Sequence, residues 1–343
     1  MLRLIGLLVV LGGCNDIGDF SYLPGYDEWK QTPTDQVDIL WVVDNSNSMQ
    51  LEQTLLGTGF STFAQELENT NTNFHIGVIT TDFDYDDPAR GKLIAGLDCP
   101  AVIDLDTECA NPENPSEIWD YRNVFVNRAR VGTGGSGKEK GLEAARFALS
   151  ANMTTGPNAG FLRPDANLLV VFVSDEDDCS DAGALEGQEA EACYTQEDKL
   201  TPVGEFVQFF EGLKRSPDMV QLSAIVGPEG ATSICDETTL EGTRYIDVSR
   251  LSGGLSGSIC ETDWSPMLYD LGLNAVGINY TFQMQHGAVP GTLKVFIDGD
   301  PVPESGIDGY TYDPEAKSIT FWGTYVPERG ATISAEYDIE PGT

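Results

Sequence analysis

Histidine is nearly absent from this chain of 343 residues, with only His75 and His286. His75 sits inside an apolar strand and reads as a satisfied core imidazole. No G-x-S-x-G elbow and no H-E-x-x-H pair occurs, which removes two common hydrolase designs. Carboxylates are plentiful, yet nothing singles out one acid–base pair, so the expectation is a protein that is not an enzyme. Basic residues are scarce too. Lys and Arg total 19 against 55 Asp and Glu, for a net charge of -36. Such a field repels phosphate backbones and attracts cations, which excludes nucleic acid as a partner class. No apolar stretch reaches the roughly 20 residues of a membrane-spanning helix, and no C-x-x-C spacing suggests a thiolate metal site. Apolar residues still make up 41%, enough for a proper core.

The N-terminus reads as a targeting segment. Arg3 supplies a short positive region and Leu4–Leu11 an apolar run. Leu11-Gly12-Gly13-Cys14 then resembles the lipobox of bacterial lipoproteins, which implies lipidation of Cys14. The reading is therefore residues 1–14 as lipoprotein signal, export, and a membrane contact through an N-terminal lipid, at the outer membrane or cell surface before the inner membrane. Setting Cys14 aside leaves six of the seven cysteines, an even number that suits three disulfides in an oxidising compartment. Fifteen pairings are open. The nearest-neighbour set, Cys99 with Cys109, Cys179 with Cys193 and Cys235 with Cys260, is expected because each pair lies within one loop-rich stretch.

Residues 15–34 are polar, with Gly and Pro, and read as a tether. From Val37 buried strands alternate with amphipathic helices. Strands are expected at Val37–Val43, Phe74–Thr80, Leu168–Val173 and Val220–Val226. Helices are expected at Met49–Leu67, Lys138–Leu149, Pro202–Leu213, Arg244–Leu251 and Pro266–Leu273. Near-continuous apolar strands suit a parallel sheet covered on both faces, so residues 35–276 form an α/β, doubly wound domain. Two polar, cysteine-bearing insertions interrupt it, 82–123 and 177–200. Both follow strands that end at the carboxyl edge of the sheet, where ligands bind in such folds. From residue 277 to 343 apolar and polar residues alternate, which predicts a small antiparallel β module of about five strands.

The first buried strand runs straight into Asp44-Asn45-Ser46-Asn47-Ser48, a D-x-S-x-S turn. A hard divalent ion wants oxygen ligands, and a strand end turning into a helix can aim alternate side chains at one point. A second carboxylate, Asp175, follows the strand Leu168–Val173. A glycine loop, Gly132-Thr133-Gly134-Gly135-Ser136-Gly137, offers two hydroxyls just before a helix. These three elements together resemble the von Willebrand factor A (VWA) family. The resemblance spans about Val37 to Leu273 and omits the tail and the two insertions. It implies a metal-ion-dependent adhesion site made by Asp44, Ser46, Ser48 and Asp175 with one loop hydroxyl. Helix register favours Ser136 for that role, residue type Thr133. The implied ion is magnesium, with calcium or manganese as alternatives, and the implied partner is a protein whose acidic residue completes the shell. A structural envelope component with this fold and no metal-gated binding is the alternative.

Other motifs read more plainly. Gly132–Lys138 matches G-x-x-x-x-G-K, but Glu139 stands where a P-loop needs a hydroxyl, so no nucleotide is expected. Asp175–Asp178 and the group Asp82, Asp84, Asp86 and Asp87 fail the EF-hand spacing and read as solvated loop charge, with an auxiliary calcium site near the adhesion site as the functional alternative. Tyr310, Tyr312, Phe321, Trp322 and Tyr325 read as cross-strand core rather than a binding patch.

Overall fold

The computed structural model describes residues 22–31, 34–83, 87–96, 98–230, 235, 239–314, 316–328 and 330–340. Cys14, the signal segment and residues 15–21 of the expected tether lie outside them, as do Asp84 and Asp86. The chain forms two compact units. One is Gln31–Asn279; the other joins the residues up to Lys30 with those from Tyr280 onward. The first element, β1 (Pro24–Lys30), belongs to the second unit.

The larger unit contains β2 (Gln36–Val43), α1 (Gln50–Asn69), β3 (Asn73–Thr80), a short hairpin of β4 (Cys109–Ala110) and β5 (Ile118–Trp119), α2 (Tyr121–Ala129), α3 (Gly141–Ala148), α4 (Ala151–Thr154) and β6 (Asn167–Ser174). It continues through α5 (Ala192–Thr195), α6 (Val203–Glu211), β7 (Val220–Val226), α7 (Thr243–Ser252), β8 (Ser256–Ser258) and α8 (Ser265–Ala275). Five strands make one parallel sheet in the order β3-β2-β6-β7-β8. The apolar run of β2 is explained by burial on both sides. Val37, Ile39, Trp41 and Val43 pack toward α1 and α8, while Leu40 and Val42 pack toward α3, α6 and α7. In α1 the buried residues Gln53, Leu56, Gly57, Phe60, Phe63, Ala64 and Leu67 repeat at helical spacing.

Asp38 interrupts this run and is fully buried. It accepts from Arg163 Nε at 2.7 Å, the Arg163 backbone N–H at 2.7 Å and Lys214 Nζ at 3.0 Å. His75 lies beside it, with Nδ1 3.1 Å from the Phe161 carbonyl.

The first insertion does not stay at the carboxyl edge. Ile94 donates to the Val78 carbonyl at 2.8 Å, and Ile76 and Ile103 form an antiparallel bridge. The segment thus runs back along β3 and covers an edge strand that would otherwise expose unpaired backbone. The second insertion corrects the reading of solvated charge. Asp175, Asp178 and Asp181 are 3%, 1% and 2% exposed. Asp178 and Ser180 accept from the Leu142 and Glu143 amides that open α3, at 3.0 and 2.9 Å, satisfying donors that a helix start leaves without partners. Arg244 pairs with Asp178 at 3.1 Å and Lys140 with Asp181 at 2.6 Å. Disulfides join Cys99 to Cys109, Cys179 to Cys193 and Cys235 to Cys260, the nearest-neighbour set. Three disulfides mark a protein made for an oxidising, exported setting. Among the described residues no helix is long and apolar enough to cross a membrane.

The smaller unit holds β9 (Thr281–Gln283), β10 (Lys294–Ile297), β11 (Asp300–Val302), β12 (Gly309–Asp313), β13 (Ser318–Trp322) and β14 (Thr332–Asp338). With β1 they form two antiparallel sheets, β1-β14-β10-β11 and β12-β13-β9, around one core that includes Phe282, Val295, Ile319, Phe321 and Ile333. The module is therefore larger than expected and has its own core. Residues 24–30, read from sequence as tether, pair along all of β14. The inward positions of β1 are Gly25, Asp27 and Trp29, and a buried acid among them hides the alternation. Asp27 is held by the Tyr337 hydroxyl at 2.6 Å and the Gln285 amide at 3.2 Å. Tyr310 and Phe321 are core, as expected; Trp322 is 41% exposed.

Candidate functional site

The sheet order reverses between β2 and β6, with β3 beyond one and β7 beyond the other. Crevices open at such a switch point, outside the carboxyl ends of the strands. Asp44 follows β2 and Asp175 follows β6, and pairing of Val43 with Val173 puts them side by side. The Asp44 amide extends the ladder by donating to the Val173 carbonyl at 2.9 Å.

Asp44 is fully buried and its two carboxylate oxygens are held apart by different partners. Oδ1 accepts from the Ser46 amide at 2.6 Å, and Oδ2 accepts from the Ser174 hydroxyl at 2.6 Å. Ser46 is buried, Ser48 is exposed, and their hydroxyl oxygens are 3.2 Å apart. The D-x-S-x-S turn therefore presents one carboxylate and two hydroxyls together. Gln53, one turn into α1, donates from Nε2 to the Asp44 carbonyl at 2.9 Å and the Gly132 carbonyl at 2.8 Å. It ties the glycine loop to the turn. The loop comes close: the Gly135 amide donates to the Asn45 carbonyl at 2.8 Å, and a Cβ at Gly135 would lie 2.5 Å from Asn45 Cγ. A larger residue there would have to displace the Asn45 side chain.

The two loop hydroxyls, one of which the resemblance gives to the ion, differ in exposure. Ser136 is exposed and its Oγ accepts from the Lys138 amide at 3.0 Å. Thr133 is half-buried. Lys138 donates to the Leu185 and Gln188 carbonyls at 2.7 and 2.8 Å, so its ammonium is tied to the second insertion. The buried group that this segment brings to the site is Glu139, 1% exposed. In the sequence Glu139 only breaks the P-loop pattern, because it is charged where that pattern needs a hydroxyl, and the VWA resemblance assigns it no role. Ser174 and Gln53 were also missed. Ser174 was legible in the Ser-Asp pair after β6; Gln53 had no local signal.

Burial raises the carboxyls of this edge. Asp44 is pushed up to about 6, with the charge of Asp175 adding to burial and the Ser174 and Ser46 bonds opposing it. Burial lifts Glu176 to about 7, helped by Asp44 and Asp175, and Asp177 to about 7. Burial, then Asp44, raises Glu139 well above the usual range. A group raised on folding binds protons that the unfolded chain has released. Its stabilisation is full below the unfolded value and is lost as pH rises through the folded one. In chelator, these groups are expected to raise the melting temperature as pH falls from 8 to 5.5. With a divalent cation the trend should reverse, because ligands must be ionised to bind it. Thermal unfolding at several pH values, with and without EDTA, checks both; parallel curves would contradict the second.

The donor set suits a hard cation: oxygen only, part carboxylate and part hydroxyl. Nearby cations are engaged with other groups, Lys140 with Asp181 and Arg244 with Asp178. Among the described residues, no three His, Cys, Asp or Glu side chains close on one point tightly enough to hold an ion unaided. Asp44 and Asp175 would hold it with the Ser46 and Ser48 hydroxyls, and water would complete the shell.

Comparison with known proteins adds little to this geometry. No family model matches the chain, and no curated protein matches it. Among solved structures, the open conformation of the pilus adhesin SpaC from Lactobacillus rhamnosus GG is similar at 11% identity and a TM-score of 0.32, over 93% of this chain and 41% of that one. Proximal thread matrix protein 1 from the mussel byssus is similar at 12% identity and a TM-score of 0.34, over 76% of this chain and 52% of that one. This chain thus spans about half or less of the length of either structure, at a similarity too low to bear on function.

Proposed function

We propose that the chain is an exported, lipid-anchored envelope or surface protein whose α/β domain is of the VWA type and binds a protein partner through a divalent cation. The observation that carries the reading is the meeting of Asp44, Ser46 and Ser48 with Asp175 at the sheet's switch point, with Asp44 already oriented by Ser46 and Ser174. The ion supplies a positive centre with an open position. The protein's own part is to fix the turn, through the amides and Gln53, so that little reorganisation accompanies binding. An acidic side chain of the partner fills the open position. Cys14 anchors the chain, which places the site outside the cell membrane. The second insertion, pinned beside the site by Asp178 and Asp181, is the segment that contributes specificity. The first insertion, lying along β3, is not.

The test is calorimetric titration of magnesium, calcium and manganese into the full chain beside Asp44→Ala. One saturable site is expected in the wild type and none in the variant, with the fold retained by circular dichroism. Equal binding by the two proteins would defeat the reading. A folded wild type that binds none of the three ions would favour the structural envelope role.

A further inference from the structure

Glu139 is the least expected group at this edge. Its chain is pinned on both sides: the Lys140 amide donates to the Thr81 carbonyl at 3.1 Å, and the Glu139 carbonyl accepts from the Cys179 amide at 2.6 Å. Thr81 follows β3, and Cys179 lies five residues past the end of β6. Glu139 is thereby held among the strand ends that frame the site. Its side chain is 1% exposed, and neither carboxylate oxygen has a hydrogen-bond partner. The Thr81 hydroxyl is near but not in bonding geometry. The Asp44 carboxylate is close enough for the two to repel. A buried carboxylate without donors and beside a second one is costly. The fold does not relieve that cost with a cation of its own, since Lys140 pairs with Asp181.

Two properties of a bound ion would relieve it. Its charge offsets the added carboxylate, and its water ligands carry donors that need buried acceptors. Magnesium in particular keeps several waters. Resting on the metal-site reading above, we propose that Glu139 is an acceptor for the ion's water ligands, taking the place that the resemblance gives to a loop hydroxyl. It is a positioning residue and not a direct ligand; among the described residues no three carboxylates close tightly enough to grip an ion. Acting through water rather than by direct contact, Glu139 steadies the ion between encounters and leaves its open position to a partner's carboxylate.

The experiment compares the wild type, Glu139→Gln, Glu139→Thr and Asp44→Ala as full chains, by magnesium and calcium calorimetry and by thermal unfolding with and without EDTA. Glu139→Gln keeps the shape and removes the charge. It is expected to weaken ion binding by about 10–100-fold, the usual cost of losing an outer-shell partner, while the chelated protein stays at least as stable as wild type. Glu139→Thr restores a hydroxyl and is expected to bind more weakly than wild type as well. A merely structural glutamate would instead lower stability in EDTA and leave affinity alone, which overturns the proposal. So does wild-type affinity in both Glu139 variants, and in that case loss of binding in Asp44→Ala leaves the metal site itself intact. Absent binding in the wild type, or unchanged binding in Asp44→Ala, removes the metal site and this role together.

Discussion

Replacing Asp38 by Ala is expected to destabilise the α/β unit by about 3–5 kcal/mol, the cost of breaking a buried ion pair from one side. Asp38 and the Lys214 side chain are both 0% exposed, and the Arg163 side chain is 18% exposed. Without Asp38, Lys214 keeps only the Arg163 carbonyl, at 2.6 Å, as a recorded acceptor, and its charge stays in the interior. A loss of that size is a large share of the 5–15 kcal/mol typical of a folded domain. The check is urea unfolding, with a lower midpoint and an unchanged slope. Lys214→Met should cost less, because Arg163 still covers Asp38. The double variant Asp38→Leu/Lys214→Met should recover much of the loss, since an apolar pair can replace a buried ionic one. A single-variant loss below about 1 kcal/mol would mean that water reaches Lys214. The network lies about 20 Å from Asp44, at six residues of strand, so folded variants should keep their ion affinity.

Trp41→Ala is expected to cost a similar amount by a different route. Trp41 is fully buried on the α1 side of β2, edge-on to Phe63 at 5.3 Å and Phe125 at 5.5 Å. Truncating an aromatic side chain in such a cluster costs about 3–5 kcal/mol, as lost transfer energy plus the cavity left behind. For a unit of this size that corresponds to a melting temperature lower by roughly 6–20 °C. Trp41→Phe separates packing from polarity. The indole Nε1 is buried with no hydrogen-bond partner, and leaving such a donor unmet costs about 1–3 kcal/mol. Phe removes that burden while keeping most of the ring, so it should melt far closer to wild type than Ala does. Differential scanning calorimetry reads both. Equal losses in the two variants would show that the cluster tolerates no change of shape, whatever the polarity.

Asp38 and Trp41 stand on the same strand that ends in Asp44, and the strand joins stability to the site. Val37–Val43 is buried because layers cover both faces of the sheet, and that burial fixes where the D-x-S-x-S turn emerges. The candidate site therefore rests on one of the most buried strands of the protein.

Local patterns were enough for the parts of this protein that depend on near neighbours in the chain. Apolar runs placed four of the five strands of the parallel sheet, 3.6-residue spacing placed α1 and α6, and D-x-S-x-S with Asp175 pointed to the candidate site at the sheet's carboxyl edge. The three cysteine pairs followed from proximity along the chain. Only tertiary structure decided the rest, because each remaining feature depends on partners distant in sequence. Asp27 turned residues 24–30 from tether into strand through Tyr337, 310 residues away. The acids after β6 became buried anchors because α3, Lys140 and Arg244 meet them. The first insertion became an edge cover by pairing with β3. Glu139 reached the candidate site because the segments after β3 and β6 hold its backbone between them. A charged residue beside a glycine loop looks like surface in one dimension. Its burial is a property of three strand ends at once, which no local pattern encodes.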